Sequence, residues 1–237
     1  MLRPRAARYS PDPEITGIAA LIGEPSRAAM LLSLLDGRRL AASELALRAN
    51  TSPTAASGHL AKLVAGGLLR VERAGRQRLY QIANENVAHA IEALAVIAKP
   101  ARIVALSQNI IASDLRAARS CYDHLAGRLG VGITEALVTR RAIVLDGPSD
   151  YRVTRFGEAF FAAFGVDVAQ ARANKRHFAR QCLDWTEHRA HLAGALGAAL
   201  RTCLFDRDWI RRTQPSRALR VTEAGRKAFK DEFAIDL

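Results

Sequence analysis

Apolar residues recur at helical spacing through the first part of the chain. The stretch "GEPSRAAMLLSLLDG" predicts a helix, because Pro25 suits a first helical turn and Gly37 suits the stop after a helix. The stretch before it, "EITGIAALIG", predicts another helix, since its apolar residues lie three and four positions apart: Ile15, Ile18, Ala19 and Ile22. The chain therefore begins with a pair of predicted helices.

Two further helices are predicted next, with a turn between them. "SELALRAN" reads as a short helix capped by Ser43, and "TSPTAASGHLAKLVAGGLL" as a helix capped by Ser52 that begins at Pro53. Small polar and basic side chains remain on the outer face of the second helix, because its inner face carries Leu60, Leu63 and Val64. This pattern is typical of a helix-turn-helix whose second helix enters a groove.

A basic hairpin and a last helix complete this region. "LLRVERAGRQRLYQI" alternates apolar and polar residues around Ala74-Gly75, which predicts two antiparallel strands with a basic tip. "NENVAHAIEALAVIA" predicts a helix that ends before Pro100. Its apolar stripe is either core or a dimer seam and consists of Val87, Ile91, Leu94 and Ile97.

The charge balance points to a polyanionic partner. The chain has 35 Lys and Arg against 23 Asp and Glu, a net charge of +12. Nucleic acid is the first expectation and an anionic membrane surface the second. Since no apolar run reaches the roughly 18 residues of a membrane span, we predict a cytoplasmic protein without a membrane partner. The three cysteines are few and unpaired in spacing, so we expect reduced thiols.

These patterns predict a mainly α fold with short β-hairpins. The N-terminal part is expected to be a winged helix-turn-helix. We divide the chain into a flexible arm at residues 1–13, a DNA-binding domain at 14–100 and a sensory or dimerisation domain at 101–237.

The first domain resembles the ArsR-type winged helix-turn-helix repressors through "IGEPSRAAMLLSLL", "SELA", "SPTAASGHLAKLVAGGLL" and "RAGRQRLYQI". The resemblance implies a homodimer that places paired helices, at about 53–65, in successive major grooves of double-stranded palindromic operator DNA. It implies that Thr54, Ser57 and His59 contact bases or nearby phosphates. It also implies contacts with the DNA backbone from four basic residues: Lys62, Arg73, Arg76 and Arg78. The alternative is that these polar side chains only complete a solvated surface.

The chain departs from this family at the positions where many members sense metals. Those members use cysteines on the short helix before the turn, or His and acidic residues on the last helix of the domain. Here the short helix, "ELALRAN", has no cysteine, and the last helix offers only His89 and Glu92. An effector must therefore be read elsewhere, or not at all.

The second half of the sequence contains an internal repeat. "CYDHLAGRLG" at 121–130 returns as "HRAHLAGALG" at 188–197, and "YRVTRFGEAFF" at 151–161 returns as "LRVTEAGRKAF" at 219–229. We predict two degenerate winged-helix-like repeats related by a pseudo-twofold axis, with the decapeptide as the helix before each turn. A ligand or partner is expected at the midline between the repeats.

Cysteine, histidine and acidic residues in the repeats suggest metal binding. On continuous helices, Cys121 and His124 would share a face, and the acidic and histidine residues of the second copy would lie at spacings of three and four. The candidate ligands for zinc, cobalt or nickel are Cys121, His124, Cys182, Asp184, His188 and His191. The alternatives are thiol redox sensing, an organic effector held near the aromatic residues of this half, and a purely structural role.

We predict a sequence-specific transcriptional regulator that acts as a repressing homodimer and responds to an effector through its C-terminal domain. The effector, a transition metal ion or a small organic molecule, is not identified by the sequence. The chain has no glycine-rich phosphate loop, nucleophile elbow or metalloprotease motif, so an enzyme is not expected. The alternative is a constitutive architectural DNA-binding protein without an effector.

Overall fold

The computed structural model describes residues 13–99 and 105–236, so the predicted arm at 1–13 lies almost wholly outside the described residues. The first part contains five helices and a three-stranded antiparallel sheet with strand order β1-β3-β2. Its elements are α1 (Thr16–Ile22), α2 (Pro25–Ser33), β1 (Leu40–Ala41), α3 (Ala42–Arg48), α4 (Pro53–Ala65), β2 (Leu69–Ala74), β3 (Gln77–Ile82) and α5 (Glu85–Ile97).

Side-chain caps determine where several of these helices begin. The Ser52 side chain accepts a hydrogen bond from Ala55 N at the start of α4, as predicted. The predicted cap at Ser43 is wrong: α3 begins at Ala42, and Ala41 occupies the cap position without a side-chain hydrogen bond. The physical reason is that Leu40 and Ala41 pair with β3, so the chain leaves the sheet directly into the helix.

The basic hairpin is present with the predicted two-strand pairing. Ala74 pairs with Gln77, which leaves a two-residue loop of Gly75 and Arg76. Gly75 has φ +60°, the left-handed region that the first position of such a loop requires. With α3 and α4, this wing completes a winged helix-turn-helix, and that prediction is confirmed.

Leucines from α2, α3 and α4 form the core of the winged domain. Leu60 and Leu63 of α4 are fully buried, as their predicted inward position requires, while Val64 is half-buried. The stripe on α5 divides: Ile91 is in the core, whereas Leu94 and Ile97 are exposed. Some apolar side chains of this domain therefore have no cover within the described residues.

The second half has a two-stranded hairpin beside a four-stranded antiparallel sheet, and a further two-stranded hairpin, with helices around them. Its elements are α6 (Leu106–Ala117), β4 (Arg119–Cys121), β5 (His124–Ala126), α7 (Gly127–Thr139), β6 (Ile143–Asp146), β7 (Asp150–Val153), α8 (Arg155–Ala163), α9 (Val168–Ala173), β8 (Arg180–Leu183), β9 (Ala190–Ala193), α10 (Gly194–Asp206), β10 (Ile210–Arg212), β11 (Leu219–Val221) and α11 (Glu223–Phe233). A mainly α fold with short hairpins is confirmed.

One order of elements occurs twice in this half: two strands, a helix, two strands and a helix. The first unit runs from β4 to α8 and the second from β8 to α11. The units contact each other reciprocally, since Tyr151 N donates to Ala179 O and, at the corresponding place, Leu219 N donates to Ala118 O. This reciprocity supports the predicted pseudo-twofold arrangement, while the origin of the units by duplication stays a prediction.

The repeated decapeptide is not the predicted helix before a turn. In both units "HLA" lies on a strand, β5 or β9, and the following glycine begins a helix. Gly127 and Gly194 have φ +77° and +82°, and a Cβ on either would lie 2.7 Å from a backbone carbonyl oxygen. The repeat is therefore a strand-to-helix corner where only glycine fits.

The aromatic residues of the second half mostly form its core. Phe161 and Phe164 are buried, and Phe164 packs edge-to-face against Trp209 and Phe233 with ring centroids 5.4 and 5.6 Å apart. The helical spacing of these aromatic residues thus reflects packing of α8 against α11 and against the loop between α10 and β10, which carries Trp209. Within the described ranges, no helix combines the length and apolar character needed to cross a membrane.

Candidate DNA-binding surface and candidate metal centre

The outer face of α4 carries three of the predicted DNA contacts in exposed positions. Thr54, Ser57 and Lys62 all face solvent, and Gly58 between them adds no side chain. His59 differs from them, because it is half-buried and its Nδ1 lies 3.4 Å from Glu24 Oε2 at the start of α2. Three polar side chains on this helix are therefore available to a groove, and His59 faces its own domain.

The wing presents three arginines without acidic partners. Arg73, Arg76 and Arg78 are exposed, and among the described residues none of them has an ion-pair partner within 4.0 Å. Arg73 and Arg78 are directly opposite each other across the two strands, an arrangement of like charges that is unfavourable in the free protein. A polyanion at the wing would relieve this repulsion.

Two hairpins bring together cysteines and histidines from distant parts of the sequence. Cys121 lies directly opposite His124 across β4 and β5, and Cys182 lies directly opposite His191 across β8 and β9. The predicted helical spacing of these residues is wrong. Tyr122 and His188 adopt left-handed conformations, with φ +56° and +53°, at the turns that reverse the chain.

The four side chains converge on one point in the interior. One ligand atom from each of Cys121, His124, Cys182 and His191 lies within 4.8 Å of all the others. The two sulfurs are 3.9 Å apart, and the two imidazole centroids 5.0 Å apart. Both histidines and Cys121 are fully buried, and Cys182 is half-buried. The midline predicted between the repeats thus contains two thiols and two imidazoles.

Each buried imidazole has a carboxylate on one side. His124 Nδ1 lies 3.5 Å from Asp123 Oδ1, and His191 Nδ1 lies 3.3 Å from Asp184 Oδ2. Within the described residues, no nitrogen of either ring makes a hydrogen bond of good geometry. Asp184 itself is held by Arg119 Nη2 at 3.0 Å and by Gly127 N at 2.7 Å. The carboxylates can therefore orient the two imidazole rings from the Nδ1 side, while the Nε2 atoms of His124 and His191 have no partner among the described residues.

Burial and the two carboxylates set the protonation of this cluster. Burial raises the pKa of the Cys121 thiol. Burial lowers the pKa of His191, but the Asp184 carboxylate and the Cys121 sulfur outweigh it and raise this pKa to about 9. The pKa of Asp184 lies well below its usual range, because His191 and Arg119 outweigh the effect of burial. These shifts favour the neutral thiol of Cys121, the protonated form of His191 and the ionised form of Asp184.

The predicted ligand set is only partly brought together. Asp184 contacts His191 rather than joining the group of four, and His188 is exposed in the turn between β8 and β9. Two contacts of the site were not predicted from the sequence, namely that of Asp123 with His124 and that of Arg119 with Asp184. The signal that pointed to the pair His124 and His191 was their shared place in the repeat.

The hairpin that carries Cys121 and His124 also contacts the winged domain. Tyr122 N donates to Leu35 O, and the Tyr122 side chain packs against the core of that domain. Asp123 accepts a hydrogen bond from Arg176, whose Nε lies 3.0 Å from Glu85 Oε2 at the start of α5. The turn between Cys121 and His124 thus contacts the segment after α2 directly and the start of α5 through Arg176.

Helix α5 has two further polar contacts with the second half. His89 Nδ1 lies 3.2 Å from Arg180 Nη1, and the buried Glu92 accepts a hydrogen bond from Arg217. Arg180 is in β8, two residues before Cys182. His89 and Glu92, which stand at a metal-sensing position of the family, therefore connect the two halves of the protein instead.

Comparison with known proteins identifies the family. A family model described as a helix-turn-helix domain matches residues 22–72. A relative from Bacillus subtilis (strain 168), the uncharacterized HTH-type transcriptional regulator YdfF, is 41% identical over 226 residues, which are 95% of this chain and 100% of the relative. The chain is an HTH-type transcriptional regulator. As a member of this family it has a helix-turn-helix DNA-binding domain and is not an enzyme.

Solved structures match this regulator over about a third of its length. Reduced HlyU from Vibrio cholerae N16961 is 29% identical over a match that covers 33% of this chain and 81% of HlyU, with a TM-score of 0.31. The homodimeric winged helix-turn-helix DNA-binding domain of Mb0332 from Mycobacterium bovis, a possible ArsR-family transcriptional regulator, is 28% identical over 35% of this chain and 76% of that domain, with a TM-score of 0.33.

Proposed function

We propose that this regulator binds a palindromic operator as a homodimer and that its C-terminal half controls its affinity for DNA. The observation that carries the proposal is the exposed polar face of α4 beside a wing where Arg73, Arg76 and Arg78 have no acidic partner among the described residues. Polar side chains on a helix can read base edges in the major groove. Exposed arginines bind phosphates without regard to sequence. Thr54 and Ser57 are the proposed groove contacts, with His59 at their edge and Lys62 near the DNA backbone.

Exposed apolar residues support the homodimer. Leu94 and Ile97 on α5 are 43% and 80% exposed, and Leu106 on α6 is 76% exposed. Ile15, just before α1, and Ile18, within α1, are exposed as well. Burial of such side chains against a second copy of the chain would be favourable, at roughly 25 cal/mol per Å² of apolar surface. A twofold dimer also places two recognition helices for an operator with twofold symmetry.

The contacts between the two halves support control by the C-terminal half. Operator binding requires one relative position of the two recognition helices. An effector that prefers a different arrangement of the winged domain shifts the population away from that position. The Tyr122–Asp123 turn and the pair of Glu92 and Arg217 hold the winged domain, so a change in the C-terminal half is transmitted to it. We propose that the regulator represses, and that its effector releases the operator.

Selection of binding sites from random double-stranded DNA tests the proposed function. The full-length reduced protein is expected to enrich an inverted repeat whose half-site centres lie about 10–10.5 base pairs apart, or a multiple of this distance. Uniform retention of all sequences would contradict the proposal and favour the architectural DNA-binding alternative.

A charge placed on α5 tests the homodimer. Ile97→Glu is expected to give monomers in sedimentation velocity, because burial of an unpaired carboxylate in an apolar interface is unfavourable. The matched control is Leu145→Glu on β6, where the native side chain is also exposed, at 63%. Dimers should persist in the control, and dimers that also persist in Ile97→Glu would exclude Ile97 from the interface.

A further inference from the structure

We propose that Cys121, His124, Cys182 and His191 bind one transition metal ion of the Zn²⁺ class, and that this ion is the effector of the regulator. The site stands on the geometry of the four side chains alone. The effector role rests on the proposed function. The two parts are therefore tested separately.

The spacing of the donors fits a tetrahedral site. Metal–sulfur bonds of about 2.3 Å at a tetrahedral angle separate two sulfurs by about 3.8 Å. The Cys121 and Cys182 sulfurs are 3.9 Å apart. Since all four ligand atoms already lie within 4.8 Å of one another, shortening of the longest separations by roughly 1–1.5 Å completes the shell. Two thiolates with two imidazoles are a donor set that zinc prefers.

The surroundings of the histidines have the arrangement expected around a metal. An imidazole that binds a metal through Nε2 usually donates its Nδ1–H to a carboxylate, which fixes the ring and its tautomer. Asp123 and Asp184 face the Nδ1 atoms of His124 and His191. An unpartnered ring nitrogen in the interior is unfavourable, and a metal would satisfy both Nε2 atoms at once.

Ligand number and access indicate a regulatory or structural ion. Four protein ligands complete a tetrahedral zinc shell, so no position remains for a substrate. Access is available on one side, because Cys182 is half-buried and lines a cavity of about 220 Å³ between α5 and β8. His89 and Glu92 of the winged domain line the same cavity.

A thiol redox pair is the alternative for the same residues. A disulfide requires the sulfurs to approach to about 2.05 Å and would leave both buried imidazoles without partners for Nε2. The repeat also places a cysteine and a histidine opposite each other in each hairpin. A redox pair needs the cysteines alone, so the paired histidines favour a metal.

The position of the site explains how an ion would act on DNA binding. Cys121 and His124 flank the Tyr122–Asp123 turn that contacts the winged domain, and Cys182 follows Arg180, which contacts His89. Metal binding draws the two hairpins together and so changes the position of these contacts. The expected coupling is in the range of about 5–150-fold in operator affinity.

Cobalt titration tests the site. Full-length protein, treated with a chelator and kept reduced, is titrated with Co²⁺, which reports thiolate ligands through charge-transfer bands and tetrahedral geometry through its visible absorption. We expect one Co²⁺ per chain, displaced by Zn²⁺. Cys182→Ser and His191→Asn should weaken binding by more than the roughly 10–100-fold that loss of a residue outside the ligand shell costs.

Matched variants separate ligand loss from misfolding. Cys203→Ser replaces a buried cysteine outside the group, and His188→Asn an exposed histidine of the same hairpin. Both should bind Co²⁺ like the parent protein. Circular dichroism tests whether each variant is folded. Cys182→Ser is the ligand variant expected to fold best, because Cys182 is less buried than Cys121. Co²⁺ spectra unchanged in folded Cys182→Ser would overturn the site, as would a disulfide that forms readily in a chain that binds no metal.

Operator binding tests the effector role. We expect one equivalent of Zn²⁺ to lower operator affinity at least 5-fold in the parent protein and not in His191→Asn. Full occupancy by Zn²⁺ with unchanged operator affinity would refute the effector role and leave a structural ion. If neither the metal-free nor the Zn²⁺-loaded protein selects a DNA sequence, the proposed function is wrong, while the metal site is still supported by the Co²⁺ spectra.

Discussion

The residues around the four candidate ligands show how much the site depends on close packing. Gly197, one turn into α10, would place a Cβ 2.4 Å from Leu192 O and 3.2 Å from the Cβ of His124. Gly130 has the corresponding place in α7, with a Cβ 2.4 Å from Leu125 O. The glycines of the repeated "HLAGxLG" pattern therefore allow each helix to approach the strand that carries a ligand histidine.

A comparison of two glycines tests this packing. Gly194 and Gly147 have similar left-handed φ values, +82° and +78°, but only Gly194 has backbone atoms in the place of a Cβ. Gly147→Ala should cost about 1–2 kcal/mol of unfolding free energy for the conformation alone. Gly194→Ala should cost a further 1–3 kcal/mol or so, because the corner is overpacked. Urea denaturation measures both, and equal costs would show that the corner can relax.

At the scale of elements, the wing and α4 are expected to contribute different parts of DNA recognition. The wing is a two-stranded hairpin with a glycine at its tip and arginines on both strands. Helix α4 begins at a serine cap and a proline, and its exposed face is small and polar. Phosphate contacts are sequence-independent and salt-sensitive, whereas contacts with base edges depend on sequence.

Two alanine variants distinguish these contributions. Arg76→Ala should weaken binding to operator and random DNA alike and reduce the slope of log affinity against log salt by about 1. Ser57→Ala should weaken mainly operator binding, by about 1–3 kcal/mol if it contacts a base. Fluorescence anisotropy at several salt concentrations measures both effects. The same loss on both DNAs for the two variants would refute the assignment.

The whole molecule consists of two cores joined by the Tyr122 turn and by polar contacts, several of which involve α5. The most buried of these contacts is the ion pair of Glu92 and Arg217, whose side chains are only 4% and 9% exposed. Burial raises the pKa of Glu92, but Arg217 outweighs burial and holds this pKa below its usual value, so the carboxylate stays charged. Loss of one partner would leave the other charge buried without a counter-charge.

A double-mutant cycle tests the pair. Arg217→Met should cost about 3–5 kcal/mol of unfolding free energy, because it leaves the Glu92 carboxylate buried without a counter-charge. Glu92→Leu should be costly for the converse reason. The double variant should be more stable than either single variant. Additive losses in urea denaturation would mean that the two charges do not interact.

The local pattern of the first domain was sufficient to predict its helices and its wing, but not the short strand β1. Apolar spacing, the Ser52 cap, Pro53 and the turn at Gly75 each act within a few residues, and each predicted the structure that is present. The cap at Ser43 failed, because pairing of Leu40 with Tyr80 on a distant strand set the start of α3. A non-local hydrogen bond outweighed a local preference there.

Local patterns along the chain were enough to predict a winged helix-turn-helix and to reveal a histidine repeated at a matching position in the second half. They did not determine the site. Spacings of three and four residues suit a helix face as well as a hairpin with an intervening turn, so Cys121 and His124 were placed on the wrong element. Only the tertiary structure brought the cysteines to 3.9 Å, excluded His188 and placed Asp123 and Asp184 behind the rings. The reason is that these contacts join residues some 60 positions apart in the sequence. Such contacts depend on how the two units pack, which a local sequence pattern does not specify.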